Sequence, residues 1–119
     1  MTDTKRPAHA ADPTQRAHLS AAELEAGLDE IRRSPRDEGV LHLIVRRPET
    51  EQREVVGAAE LDLDHGLVGD NWRLRGSKTT EDGSADPMMQ LNIMNVRAIA
   101  LIARDPERRP LAGDQLYID

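Results

Sequence analysis

The sequence predicts an α+β domain that is mostly β, and three observations carry that expectation. Short apolar stretches, β-branched or alternating with polar residues, recur from Val40 onward. Pro and Gly clusters punctuate them. Only two stretches, one opening at Ser20 and one following Met94, show the three-to-four-residue apolar spacing of a helix. At 119 residues the chain is one domain at most.

Residues 1–18 mix Thr, Asp, Lys, Pro, His and Ala without periodicity, and Pro7 and Pro13 break any helix, so a disordered tail is expected there and a folded domain over 19–119. Ser20 and Glu23 have the spacing of a capping box, with Leu19 and Leu24 as the hydrophobic staple. Leu24, Leu28 and Ile31 then mark the apolar stripe of one helix that stops near Ser34, before Pro35. Val40 to Arg47 reads as a largely buried strand ended by Pro48. Arg53 to Leu63 alternates cleanly, as a half-exposed strand does, and the short polar link between the two predicts an antiparallel hairpin.

Trp72 to Arg75 is expected to begin a further strand. Gly76 to Pro87 is a polar loop of about a dozen residues, long enough to serve as a lid and equally readable as a tolerated insertion. Met88 to Met94 reads as a strand carrying Gln90 and Asn92, after which Asn95 caps a short helix through Ala103 with Val96, Ile99, Ala100 and Ala103 buried. A Pro- and Gly-containing connection leads to a last strand, Gln115 to Asp119. A sheet that stops on such a strand leaves an open edge, through which a dimer would form.

Composition narrows the function. A net charge of −6 argues against a general nucleic-acid binder. No apolar run reaches the roughly 18 residues of a membrane span, no secretory h-region opens the chain, and a cytoplasmic protein is the default expectation. There is no Cys, hence no thiolate ligand or cysteine nucleophile in these residues. There is no Phe either, so an aliphatic and thin core is expected.

The densest chemistry lies between His65 and Arg75, which holds two glycines, Asp70, Asn71, the only Trp and two arginines. Glycines permit positive φ and close backbone approach, so polar side chains after them can converge on one point. Asp62, Asp64, Asp70 and His65 invite a metal reading, but the calcium-loop pattern fails, with glycine at its fifth position and Arg73 at its twelfth. Nor is the segment a P-loop or a dinucleotide fingerprint, since neither the Gly-Lys-Ser/Thr nor the third glycine follows. Two readings stay open: a structural turn in which Asp70 caps backbone amides, and one wall of a site. Arg46, Arg47 and Arg53 flank one turn while Arg73 and Arg75 leave the glycine loop, which offers an anion site or merely solvated strand ends.

The order of pieces is more specific than any one of them. Glu60-Leu-Asp-Leu-Asp64 leads into Gly66-Leu-Val-Gly69-Asp70-Asn71-Trp72, then come a variable loop, Gln90-Leu-Asn92-Ile-Met-Asn95, a short helix and Leu111-Ala-Gly-Asp114-Gln115-Leu-Tyr. Over roughly residues 40 to 118 this resembles the first half of a MOSC domain, the module named for the C-terminal part of molybdenum-cofactor sulfurases. The resemblance implies a mixed, twisted β-barrel, here incomplete, and a role in molybdenum-cofactor binding or sulfuration, with sulfur transfer to a metal centre. It places cofactor-binding positions at Gly66, Gly69, Asp70, Asn71, Arg73, Arg75, Gln90, Asn92 and Asn95, the arginines facing an anionic group such as the pterin phosphate of molybdopterin. Pyridoxal phosphate would enter only through a partner enzyme that donates sulfur. The family's cysteine belongs to a half that these residues lack, so the chain is expected to be truncated and inactive alone, with no catalytic residue of its own. The alternative is a cysteine-free binding or dimerisation module.

Overall fold

The computed structural model describes residues 18–119, so the tail expected over 1–18 falls, apart from His18, outside the described residues. The capping box at Ser20 forms as its chemistry dictates. Glu23 N donates to Ser20 Oγ at 3.1 Å, and Ser20 N donates to Glu23 Oε1 at 2.9 Å. The single helix expected from there is instead two short ones, α1 (Ala21–Ala26) and α2 (Leu28–Arg32), meeting at Gly27. Gly27 itself keeps helical dihedrals, φ −82° and ψ −9°, and its missing Cβ lets the pair settle on the later helix, since a Cβ there would stand 2.5 Å from Leu101 Cδ2.

β1 (Leu41–Arg46) and β2 (Glu54–Val56) form the expected antiparallel hairpin, with Ile44 opposite Val56 and Arg46 opposite Glu54. Strand β2 does not run to Leu63, however. At Gly57-Ala58-Ala59 the side chains are too small to pack across a ladder, and the chain leaves the sheet. It then makes a separate two-stranded ribbon of β3 (Leu61–Asp62) and β4 (Gly66–Leu67). Trp72–Arg75 is a single helical turn, α3, rather than a strand. Met88–Met94 is also not one strand. Asp86 Oδ1 accepts from Met88 N at 3.0 Å and Pro87 takes the first helical position, winding Pro87–Met89 into a 3-10 turn and leaving only β5 (Ile93–Asn95) extended.

Asn95 caps α4 (Val96–Ala103) as expected, its Oδ1 accepting from Arg97 N and Ala98 N. A 3-10 segment, Pro106–Ala112, leads to β6 (Leu116–Ile118). The main sheet is mixed, in the order β2-β1-β6-β5, with β5 parallel to β6 and the other pairs antiparallel. The last strand is therefore not the open edge. It is paired on both sides, and the unpaired edges belong to β2 and β5. The described residues make an α+β fold whose sheet is open, with helix represented as fully as strand, so neither a β-dominated chain nor a closed barrel is present among them.

Helix α4 covers one face of this sheet, and the core forms there from Val45, Ile99 and Tyr117, with Leu43, Met94 and Ala103 packed against it. The core is thin, as expected, but not purely aliphatic. Tyr117 is fully buried, and Trp72 is buried beside the glycine turn.

Gly66 and Gly69 adopt positive φ, 71° and 95°. A Cβ on Gly66 would come within 2.7 Å of Gln90 Cγ and 3.1 Å of Gln90 O. Gly66→Ala is expected to cost about 1–3 kcal/mol, read from the shift of the urea midpoint, because strain and crowding act together.

Candidate functional site

The glycine turn delivers Asp70 to the end of β1, and there its carboxylate is consumed by the protein. With the side chain wholly buried, it accepts Arg47 N at 2.7 Å, Arg47 Nε at 3.1 Å and Arg47 Nη2 at 3.0 Å. Trp72 N and Gln115 Nε2 complete the shell at 3.1 and 3.3 Å. Burial pushes the Asp70 carboxyl up, but these donors, Arg47 first among them, more than offset it and hold it below the ordinary carboxylate range. Asp70 is thus the anchor of a turn.

Gln115 links that anchor to the sheet. It is fully buried, and its Oε1 accepts Asn92 N at 2.8 Å while Asn92 O accepts Gln115 N at 3.0 Å. Next to it, burial pushes the Asp114 carboxyl up, with Arg47 acting against the rise.

Asn71 follows Asp70 and donates its backbone N–H to Arg47 O at 2.8 Å. Its side chain is buried and its Oδ1 has no donor among the described residues, a condition that costs about 1–3 kcal/mol. Asn71 lines a cleft of about 150 Å³ together with Arg47, Arg53, Arg75, Thr50, Glu49 and Glu51. The arginines at this end divide into two kinds. Arg46 is held by Glu54 at 2.7 Å and Arg47 by Asp70 at 3.0 Å. Arg53 and Arg75 form no ion pair with a carboxylate among the described residues. Burial lowers the Arg75 pKa, and Arg47 and Arg53 lower it further, with Asp70 alone pulling the other way. Glu49 and Glu51 share the wall of the same cleft.

The nine expected positions do not converge. Asn71 and Arg75 line the arginine cleft. Arg73 points elsewhere, its Nη1 donating to Asp64 O at 3.0 Å. Gly66 and Gln90 line a different, apolar cleft of about 210 Å³ with Leu61, Leu63 and Leu91, and Gln90 Nε2 donates to Leu63 O at 2.7 Å. Asn92 acts through its backbone, and Asn95 is a helix cap whose Nδ2 donates to Ser34 Oγ at 2.9 Å. Gly69 shapes the turn, standing against the Arg46 side chain. Arg47 and Gln115 were the residues missed as partners of Asp70. Their only sequence signal is a polar residue abutting an apolar strand.

Asp62 accepts from His65 Nδ1 at 2.6 Å at the ribbon tip, and among the described residues no group of three or more His, Asp or Glu is placed to hold a metal ion. No helix among them is long and apolar enough to cross a membrane. No family model matches the chain, and neither a curated protein nor a solved structure matches it.

Proposed function

We propose that this chain is the ligand-positioning part of a MOSC-like domain that binds an anionic group of the molybdenum cofactor, in a cytoplasmic setting where sulfur transfer is completed by residues outside this sequence. The observation that carries the reading is the pair Arg53 and Arg75, which form no ion pair with a carboxylate among the described residues, in a cleft lined by Asn71. The cleft fits part of such a ligand. About 150 Å³ accommodates a single anionic group, whereas a whole small-molecule site takes about 300–1,000 Å³. Arg53 and Arg75 would hold that group, Arg47 would lend charge from its buried pair, and the ring system would lie outside. With no cysteine in the chain, these residues bind and orient and supply no sulfur nucleophile.

Titration with molybdopterin tests this. Arg75→Ala is expected to weaken binding about tenfold, the loss of one charge-assisted hydrogen bond. Arg73→Ala, whose guanidinium rests on the Asp64 carbonyl, is expected to leave it within twofold. Unchanged affinity in both variants would remove the anion assignment.

A second reading, a binding module that pairs through its sheet, draws on the open edges at β2 and β5, where Val55 and Ile93 are exposed. A concentration-dependent dimer in sedimentation, abolished by Ile93→Lys, would favour it.

A further inference from the structure

A cavity of about 470 Å³ opens between α2, β1 and α4, and it shares no lining residue with the arginine cleft. That volume is within the range of whole small-molecule sites. One wall is apolar, made by Val96, Ala100 and Leu101 of α4. His42 is the extra residue where Leu41 faces Ile118 and Leu43 faces Tyr117, and it adds to the wall from β1 without bringing negative charge.

The charged groups of the lining are unequally spent. Its acids are Glu30 and Asp119, and both are taken. Arg97 holds Asp119 through two nitrogens at 2.7 and 3.2 Å and Glu30 at 3.2 Å, while Arg33 meets Glu30 at 3.5 Å. Arg109 is the lining arginine left over, with no carboxylate partner among the described residues. Its Nη2 reaches the Arg104 carbonyl at 3.3 Å, and its Nε is buried without an acceptor. Its Nη1 makes no hydrogen bond among the described residues and is not buried with Nε, so it is the accessible end of the group. Helix α4 separates the two kinds of charge. Arg97 stands in its first turn and Arg104 caps its end, about 10 Å further along the axis, so the spent acids and the open guanidinium lie at opposite ends of the apolar wall.

A guanidinium carries donors and no acceptor, and its natural partner is a carboxylate. We propose that this cavity binds a small monocarboxylate with an apolar body, the carboxylate on Arg109 and the body along Ala100, Leu101 and Val96. The site is independent of the anion-binding reading of the arginine cleft, and either can fail without the other.

The test uses the whole chain and three probes with one body and different heads: hexanoate, hexanol and hexylamine. Binding is followed at neutral pH by NMR through the amide shifts of Gly27, Ala100 and Leu101, which line the cavity. Hexanoate is expected to bind about tenfold more tightly than hexanol, one charge-assisted hydrogen bond, and hexylamine more weakly than either. Arg109→Gln should bring hexanoate down to the level of hexanol and leave hexanol unchanged, whereas Arg109→Lys, which keeps the charge, should keep most of the preference. Hexanoate no tighter than hexanol in the unaltered chain overturns the proposal. So does a preference for hexylamine, which would mean that Glu30 and Asp119 rule the cavity. Shifts confined to the lining of the other cleft, at Arg53 and Arg75, would also overturn this assignment while supporting the arginine cleft as the anion site.

Discussion

Asp70→Ala is expected to destabilise the fold by about 3–5 kcal/mol, enough to leave a small domain close to unfolded at room temperature. Removing the carboxylate strands Arg47, only 13% exposed, without its counter-ion. It also removes acceptors from Arg47 N, Trp72 N and Gln115 Nε2, three donors from three parts of the chain. A urea titration followed by circular dichroism reads the effect, and a loss under about 1 kcal/mol would mean that the pair is solvated after all. Replacing both partners, as Arg47→Met with Asp70→Leu, should recover much of the loss, because the cost lies in an unpaired buried charge more than in the pair itself.

The same carboxylate sets an acid limit. Its pKa is lower folded than unfolded, so its contribution is complete above the unfolded value of about 4 and is lost as pH falls through the folded one. Asp119, lowered by Arg97, acts in the same direction. Asp114 has the opposite sign, since burial raises its pKa and ionisation costs stability. Stability should therefore fall on acidification below about pH 4, and less steeply in Asp70→Ala.

What could be read from the sequence is what chemistry decides within three or four residues. The Ser20–Glu23 box, the Asn95 cap, the β1–β2 hairpin and the positive φ of Gly66 and Gly69 all belong to that class. What could not be read depends on partners remote in the chain. Gly27 lies bare where Leu101, a residue of another helix, comes against it. Arg47 meets Asp70 across 23 positions and Gln115 meets it across 45. The arginines were visible as a cluster, but sorting them required the fold. Only with Arg46 on Glu54 and Arg47 on Asp70 do Arg53 and Arg75 stand apart as the arginines of this cluster without a carboxylate ion pair. Trp72 shows the same limit, since Trp72 to Arg75 reads as the start of a strand, whereas in the fold Asp70 Oδ2 takes the Trp72 amide and the segment winds into a helical turn.

The second large effect is expected at Tyr117. Tyr117→Ala should cost about 3–5 kcal/mol, the range for truncating a buried aromatic, because this fully buried ring fills the centre of a core with few other members. Tyr117→Phe separates the ring from its hydroxyl. The hydroxyl donates to Arg109 O at 3.0 Å, so its removal should cost only about 1 kcal/mol, and equal losses in the two variants would show that the hydrogen bond, not packing, holds the strand. The ring matters beyond the core because of where β6 runs. Tyr117 sits opposite Leu43 on one side and Met94 on the other, and the residue that leads into this strand, Gln115, reaches Asp70. A cavity at Tyr117 loosens the element that holds the Gln115–Asp70–Arg47 chain in register, and Asn71 follows Asp70 directly. Tyr117→Ala is thus expected to weaken molybdopterin binding at the arginine cleft even under conditions where the variant stays folded, while Tyr117→Phe leaves it intact.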